Sequence, residues 1–245
     1  MTFDEMFPAL PELTDAVVVL AFEGWNDAGE AATGVIDHLL EVWDADWLGE
    51  LDPEEYYDFQ VNRPEASFDD SGARHIVFPT TRVFLLKPPH HGRSIVVLRG
   101  IEPNNKWRSF SQEILAILRE LDATLIVTLG SMLAETPHTR PIPVNATGSS
   151  PDVNARFGLE ESRYEGPTGI VGVISAACAA AELPVVSYGQ RFPTTSPNRR
   201  HRRARLLCSR PSRTCSMCPF PWATSPKRPM HGRRMSISSP RTTMR

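Results

Sequence analysis

AVVVLAFEGWNDAGEAATGVIDHLLEVW, residues 16–43, decides the fold. Its first six residues are apolar without a break, and Phe22 follows. Such a run, bounded by a turn, predicts a strand buried on both faces. The turn is FEGWNDAG, in which Gly24 and Gly29 permit backbone angles that other residues avoid. Asn26 or Asp27 is placed to cap a helix, and Glu30 stands three residues past Asp27, as a capping box requires. Ala31, Ala32, Val35, Ile36, Leu39, Leu40 and Trp43 then recur at helical spacing, an apolar stripe that must lie on a sheet. Strand, polar turn and helix make the first unit of an α/β fold. In such folds ligands gather at the carboxyl ends of the strands, where Gly24, Trp25, Asn26 and Asp27 stand.

The rest of the chain repeats this unit. SIVVLRGIEPNNKW gives a buried strand at 95–98, a turn carrying Gly100, Glu102 and Asn104, and a helix with Trp107, Phe110, Ile114 and Leu121 on one face. DATLIVTLGS gives a third strand at 124–129 that ends at Gly130 and Ser131. In MLAETPHTRPIPVNATGSS, Pro137, Pro141 and Pro143 fix the path and hold Thr136, His138, Thr139 and Arg140 together. Thr168 and Gly169 open a further helix with free amides, and a last strand spans 184–188. Between the first and second units, YYDFQV at 56–61 alternates as an edge strand would, and RPEASFDDSG reads as an exposed loop. ARHIVFPTTRVFLLK reads as two short runs, 75–78 and 82–86, forming a hairpin or two strands with a tight bend. Right-handed crossovers bring the turns to one sheet edge, which collects Asn26, Asp27, Glu102, Asn104, His138, Arg140 and Thr168.

Each of these residues has an ordinary reading beside a functional one. Arg140 can fork onto an anion and His138 can donate or shuttle a proton, or both are surface charges in a proline-held loop. Asp27 suits a cap better than a base. Glu102 can accept from a sugar hydroxyl or merely begin a turn, and Trp25 can stack on a planar ligand or pack on a neighbouring loop. The GPTG at 166–169 lacks the lysine of a phosphate loop, so Thr168 and Gly169 offer backbone amides alone. No metal or cofactor is expected. His90 and His91 are adjacent in a Pro/Gly loop, and Cys215 and Cys218 have knuckle spacing without a second ligand pair.

Composition sets the outer bounds. No stretch nears the about 18 uninterrupted apolar residues of a membrane helix. The start, MTFDEMFPALPEL, is acidic and lacks a leader pattern, and the cysteines form no disulfide framework. A cytoplasmic protein with no membrane partner is expected.

The strings FEGWNDAG, YYDFQVNRP, GIEPNNKWRSF, LGSMLAETPHTRPIPV and YEGPTGIVGVI resemble the PAC2 family, the proteins similar to proteasome assembly chaperone 2, in the form found in high-GC Gram-positive bacteria. They span nearly all of residues 15–188. The resemblance implies a three-layer α/β/α sandwich with a mixed, mostly parallel sheet, close in topology to purine nucleoside phosphorylases and peptidyl-tRNA hydrolases. It further implies a β-hairpin insertion used in assembly, a homo-oligomer (a trimer), and a carboxyl-terminal helical segment over the crevice. It supplies no catalytic residue. The function it implies is non-catalytic, assembly or interaction with a protein partner or a small anionic ligand. The alternative is an enzyme acting on a nucleoside-like or carboxylate substrate, with Arg140 and the Thr168 amides on the anion and His138 or Asp27 as acid or base.

The net charge of −3 conceals a break in the chain. Residues 1–188 hold all 29 acidic residues and 12 of the 26 basic ones, a net of −17; residues 189–245 hold 14 basic residues and no acidic one. The run 199–205 would ordinarily suggest nucleic acid, but Arg, Pro and Ser without acids is also what GC-rich coding DNA yields out of frame. Two codon steps in the shifted frame are forced: Met217 into Cys218 gives valine, and Trp222 into Ala223 gives glycine. Loss of one T after Tyr188 produces the Gly-Gln-Arg that is present. Residues 189–245 are therefore read as an out-of-frame tail without fixed structure and without a specific nucleic-acid partner, joined to a domain at 1–188.

Overall fold

β1 (Ala16–Glu23) lies between β6 (Ile95–Ile101) and β7 (Ala123–Ala134), parallel to both. In the computed structural model, which describes residues 2–8, 10–69, 71–89, 92–134 and 141–193, its first seven residues are buried. β9 (Val185–Pro193) is parallel to β7 and completes a central group of four parallel strands. The flanks are antiparallel: β5 (Arg82–Lys87) on β6, β2 (Asp44–Glu50) on β5, and β8 (Val144–Gly148) on β9. The sheet order is β2-β5-β6-β1-β7-β9-β8. Strands that are apolar on both faces take the centre, and the charged, alternating β2 takes an edge.

Side chains of a strand point alternately to opposite faces. Val17, Val19 and Ala21 therefore meet α2 (Ala31–Val42) through Ala32, Ile36 and Leu39. Val18, Leu20 and Phe22 meet α3 (Trp107–Glu120) and α5 (Ile170–Ala180) on the other face. Phe22 and Phe110 stack edge to face at 5.7 Å, as do Tyr56 and Phe110 at 5.2 Å. Phe110, Ile114, Ile117 and Leu118 on α3 are wholly buried, each contributing roughly 1.5–3 kcal/mol. The result is the three-layer α/β/α sandwich with a mixed, mostly parallel sheet. Two short helices complete it: α1 (Phe3–Met6) near the start, and α4 (Pro151–Phe157), capped by Ser150 Oγ accepting from Val153 N at 3.3 Å.

The insertion at 51–81 differs from its sequence reading. No strand forms over 56–61. Tyr56 and Tyr57 are consecutive and both buried, which a strand lying on one surface cannot arrange but a turn can. Their amides donate to Pro53 O, and Tyr57 Oη donates to Ile101 O at 2.9 Å. Burial pushes the Tyr57 phenol up to about 12. The hairpin is also one strand earlier than expected. β3 (Glu65–Phe68), within the supposed loop, pairs with β4 (Arg74–Val77) in a separate two-stranded sheet, while β5 belongs to the main sheet. Pro79 ends β4, and the chain is then pinned to the body: Thr80 Oγ1 donates to Leu51 O at 2.5 Å and Leu51 N to Thr81 O at 3.0 Å. Asp69 closes the tip by accepting from Ser71 N and Ala73 N, each at 2.9 Å, with His75 Nε2 2.9 Å from its other oxygen. The Ser71 hydroxyl, then His75 and the Ala73 amide, hold its carboxyl well below the usual carboxylate range. β9 also runs to Pro193, five residues past the expected end of the last strand.

Candidate functional site

The strand order reverses at β1. The chain leaves β1 through α2 for the edge strand β2, returns inward through β5 and β6 on that side, and then crosses through α3 to β7 on the other. Loops at such a switch point diverge to opposite faces and leave a crevice. Here the loops after β1 and β6 meet the start of α5, and the β1 loop is tied to β7. Glu102 joins three of these elements. Its amide donates to Glu23 O at 2.8 Å, Oε1 accepts from Ile170 N at 2.8 Å, and Oε2 accepts from Trp25 N at 3.3 Å. A carboxylate there faces the positive end of the α5 dipole. The first amide of α5, expected to be open to an anion, is thus occupied by the protein's own side chain.

Asn26 packs beneath this contact. Its carbonyl accepts from Ser131 N at 2.6 Å, tying the β1 loop to β7. Its side-chain Oδ1 is buried against Gly169, where a Cβ would overlap it and would also come within 2.8 Å of Glu102 Oε1. Gly169 is therefore required by close approach. Asp27 is buried and turned away from the opening. Oδ1 accepts from Ala32 N at 2.7 Å and Thr33 N at 3.3 Å, and Oδ2 from the Thr33 hydroxyl. Burial raises its pKa, while the bonds from Thr33 and Ala32 pull the other way. Three donors around it describe a helix cap. The expected box with Glu30 does not form: Gly29 turns at φ 68 and Glu30 at φ 53, so a short 3-10 turn precedes the helix and moves its start.

Trp25 is exposed above the loop, and Thr168 is exposed with its Oγ1 lying over Gly172. Asn104 faces elsewhere. Its Oδ1 accepts from Asp58 N at 2.9 Å and Asn62 Nδ2 at 2.8 Å, while its amide donates to Tyr56 O, so it fastens the insertion. His138 and Arg140 lie outside the described residues, as do His90, His91 and everything from 194 onward. The structure thus brings Trp25, Asn26, Asp27, Glu102 and Gly169 together, with Thr168 beside them.

Two contributors were not singled out in the sequence. Arg99 on β6 reaches Glu23 Oε1 at 2.7 Å and Asp37 Oδ1 at 2.6 Å, bracing the end of β1 against α2. Ser131 is buried and donates to Ala28 O at 2.9 Å. A lone Arg inside an apolar strand was the available signal for the first; the second was read only as the end of the third strand. The described crevice presents the Glu102 carboxylate, which takes the first amide of α5, over the buried Asn26 side-chain carbonyl. Among the described residues no three His, Cys, Asp or Glu side chains are grouped to hold a metal.

A family model described as the PAC2 family matches residues 21–209. A crystal structure of a PAC2 family protein from Streptomyces avermitilis is 48% identical, with a TM-score of 0.71, over 74% of this chain and 77% of that one. A proteasome-assembly chaperone homologue of Mycobacterium tuberculosis is 46% identical, with a TM-score of 0.66, over 73% and 75%. An archaeal proteasome activator of Pyrococcus furiosus is 13% identical with a TM-score of 0.60 over 76% and 78%, a likeness of fold alone. No match was found among curated proteins.

Proposed function

The chain belongs to the PAC2 family, and from that premise we propose that it is a non-catalytic assembly protein that works by docking on protein partners. The observation that carries this reading is the β3–β4 hairpin. All eight of its strand residues are exposed, including Phe68 at 71% and Ile76 at 51%. A lone two-stranded ribbon is marginal in water, and an apolar face left open on it suits a protein surface. The crevice supports the same reading, because Glu102 and Asp27 are spent on internal bonds. The 46% identical relative is a proteasome-assembly chaperone homologue, and we extend that role here: a cytoplasmic homo-oligomer, a trimer, that attends assembly of proteasome subunits. No described helix is long and apolar enough to cross a membrane.

The test mixes the purified chain with its cognate proteasome subunits and follows complexes by native mass spectrometry. Capture of incomplete assemblies and faster maturation are expected. Absence of both, together with a nucleoside, phosphate or carboxylate that raises Tm and is turned over, would replace this reading with the enzymatic one. In that case His138 and Arg140 would be the ligand residues to test, and either alanine variant should weaken binding roughly ten- to a hundredfold.

The same proposal treats the 189–245 segment as the product of a base lost after Tyr188. The family match to residue 209 and the pairing of β9 through Pro193 pull against a break at Gly189; the charge break and the forced codons pull toward it.

A further inference from the structure

We propose that the paired glycines Gly130 and Gly189 floor a binding site for one neutral, planar heteroaromatic ring. The site lies on the α5 side of the sheet, beside the Glu102 contacts but built from other residues. It stands apart from the assembly reading, which concerns a different surface.

Glycine inside a strand marks a bulge, a tight bend, a close backbone approach or a ligand lying on the sheet. Gly130 on β7 and Gly189 on β9 are register partners, and Asn145 on β8 pairs with Gly189 on its other side. Both ladders run through these positions without a register shift, and neither glycine has a left-handed φ. A Cβ on Gly130 would meet Asn26 O at 3.6 Å, an ordinary contact, and one on Gly189 would have no described atom within 4 Å. Bulge, bend and close packing are thereby removed, and a ligand on the sheet remains. Gly189 is exposed although strands pair with it on both sides, so the floor is open to solvent.

The surroundings set the chemistry of the ligand. Residues two apart on a strand line one face. Thr128 and Ser187 therefore share the face of the glycines, one step deeper, and Ser175 reaches them from α5. Thr128 Oγ1 donates to Ser187 Oγ at 2.8 Å, and Ser175 Oγ donates to Val171 O at 2.9 Å. The Ser187 hydrogen is left with Ser175 Oγ at 3.4 Å, a long contact that a better acceptor displaces. Asn26 Nδ2 borders the floor, 4.0 Å from the Gly130 Cβ position, and Asn145 is exposed at the outer end. These lining groups are hydroxyls and amides without formal charge. Neighbouring strands lie about 4.8 Å apart, so two side-chain-free peptide units offer a flat strip of about one ring's width. A ring with its face on the glycines and an edge nitrogen at Ser187 meets both features.

Such a ring has two sources. One is a free nucleobase or indole compound. The other is the chain itself: a T restored ahead of the Gly189 codon makes TGG, tryptophan, and an aromatic residue opposite a strand glycine covers it with its ring.

Indole and adenosine are titrated into the full chain by calorimetry, with cyclohexanol as a non-planar control. Saturable binding of a ring is expected, with cyclohexanol at least tenfold weaker. Gly189→Val, checked for folding by circular dichroism, puts its side chain into the open space and should weaken ring binding at least tenfold. Gly189→Trp should melt above wild type and bind neither ring if the chain is the source. Should it melt no higher while adenosine binds wild type more tightly than indole does, the source is a free nucleobase. A wild-type chain that binds neither ring would overturn the site. So would ring binding that survives Gly189→Val undiminished, or cyclohexanol binding as tightly as the rings. None of these outcomes alters capture of proteasome subunits, so the two readings fail separately.

Discussion

At the scale of single residues, Asp27 joins two opposed effects. Its carboxylate satisfies the amides of Ala32 and Thr33, yet burial raises its pKa. Asp27→Ala should cost about 1–2 kcal/mol of stability, the loss of a cap. A carboxyl whose folded pKa is raised binds its proton more tightly in the native state. Its contribution is then fullest below the unfolded value of about 3.9 and is lost as pH rises through the folded value. The penalty of Asp27→Ala, read from thermal melts, should therefore grow as pH is lowered towards the unfolded value. A penalty that shrinks on acidification would show that the bonds from Thr33 and Ala32 outweigh burial. That Asp27 caps a helix was legible from its place after a buried strand. The part played by Glu30 was not, because two successive left-handed residues, Gly29 and Glu30, shift the helix start in a way no spacing rule encodes.

At the scale of elements, Glu102 is the joint between the β1 loop, the end of β6 and the start of α5. Glu102→Gln removes the charge at the helix terminus and turns an NH₂ toward one of two N–H donors. About 1–2 kcal/mol of destabilisation is expected, with a gap from wild type that narrows in high salt. Equal melting temperatures at low salt would mean that the carboxylate does not tie these loops together. The central strands could be read in advance because continuous apolar runs have few alternatives. β3 could not: EASF alternates over only four residues and has no β-branched residue, and its pairing with RHIV is set by the Asp69 tip. β8 was hidden likewise, since VNATG is a partly exposed edge. Asn104 was grouped with the crevice because sequence gives the loop but not the direction in which a side chain leaves it.

At the scale of the whole molecule, the proposed loss of reading frame is decided by the gene. Resequencing across the codons for Tyr188 and Gly189 should find one base missing, after which the restored chain carries acids where this one has 14 basic residues. An unchanged sequence there would make the basic segment a genuine part of the protein. The parallel centre of the sheet has a further effect, on the order of events during synthesis. β1 is made first among its neighbours, yet its register partners begin with Ile95 opposite Val17, and those on β7 come later still. At about 5–20 residues per second, the ribosome takes roughly 4–16 s to deliver that first partner. During that interval the six-residue apolar run has no neighbouring strand. A factor that shields nascent chains would act on this protein at residues 16–22, and the window in which it must do so closes when β6 arrives.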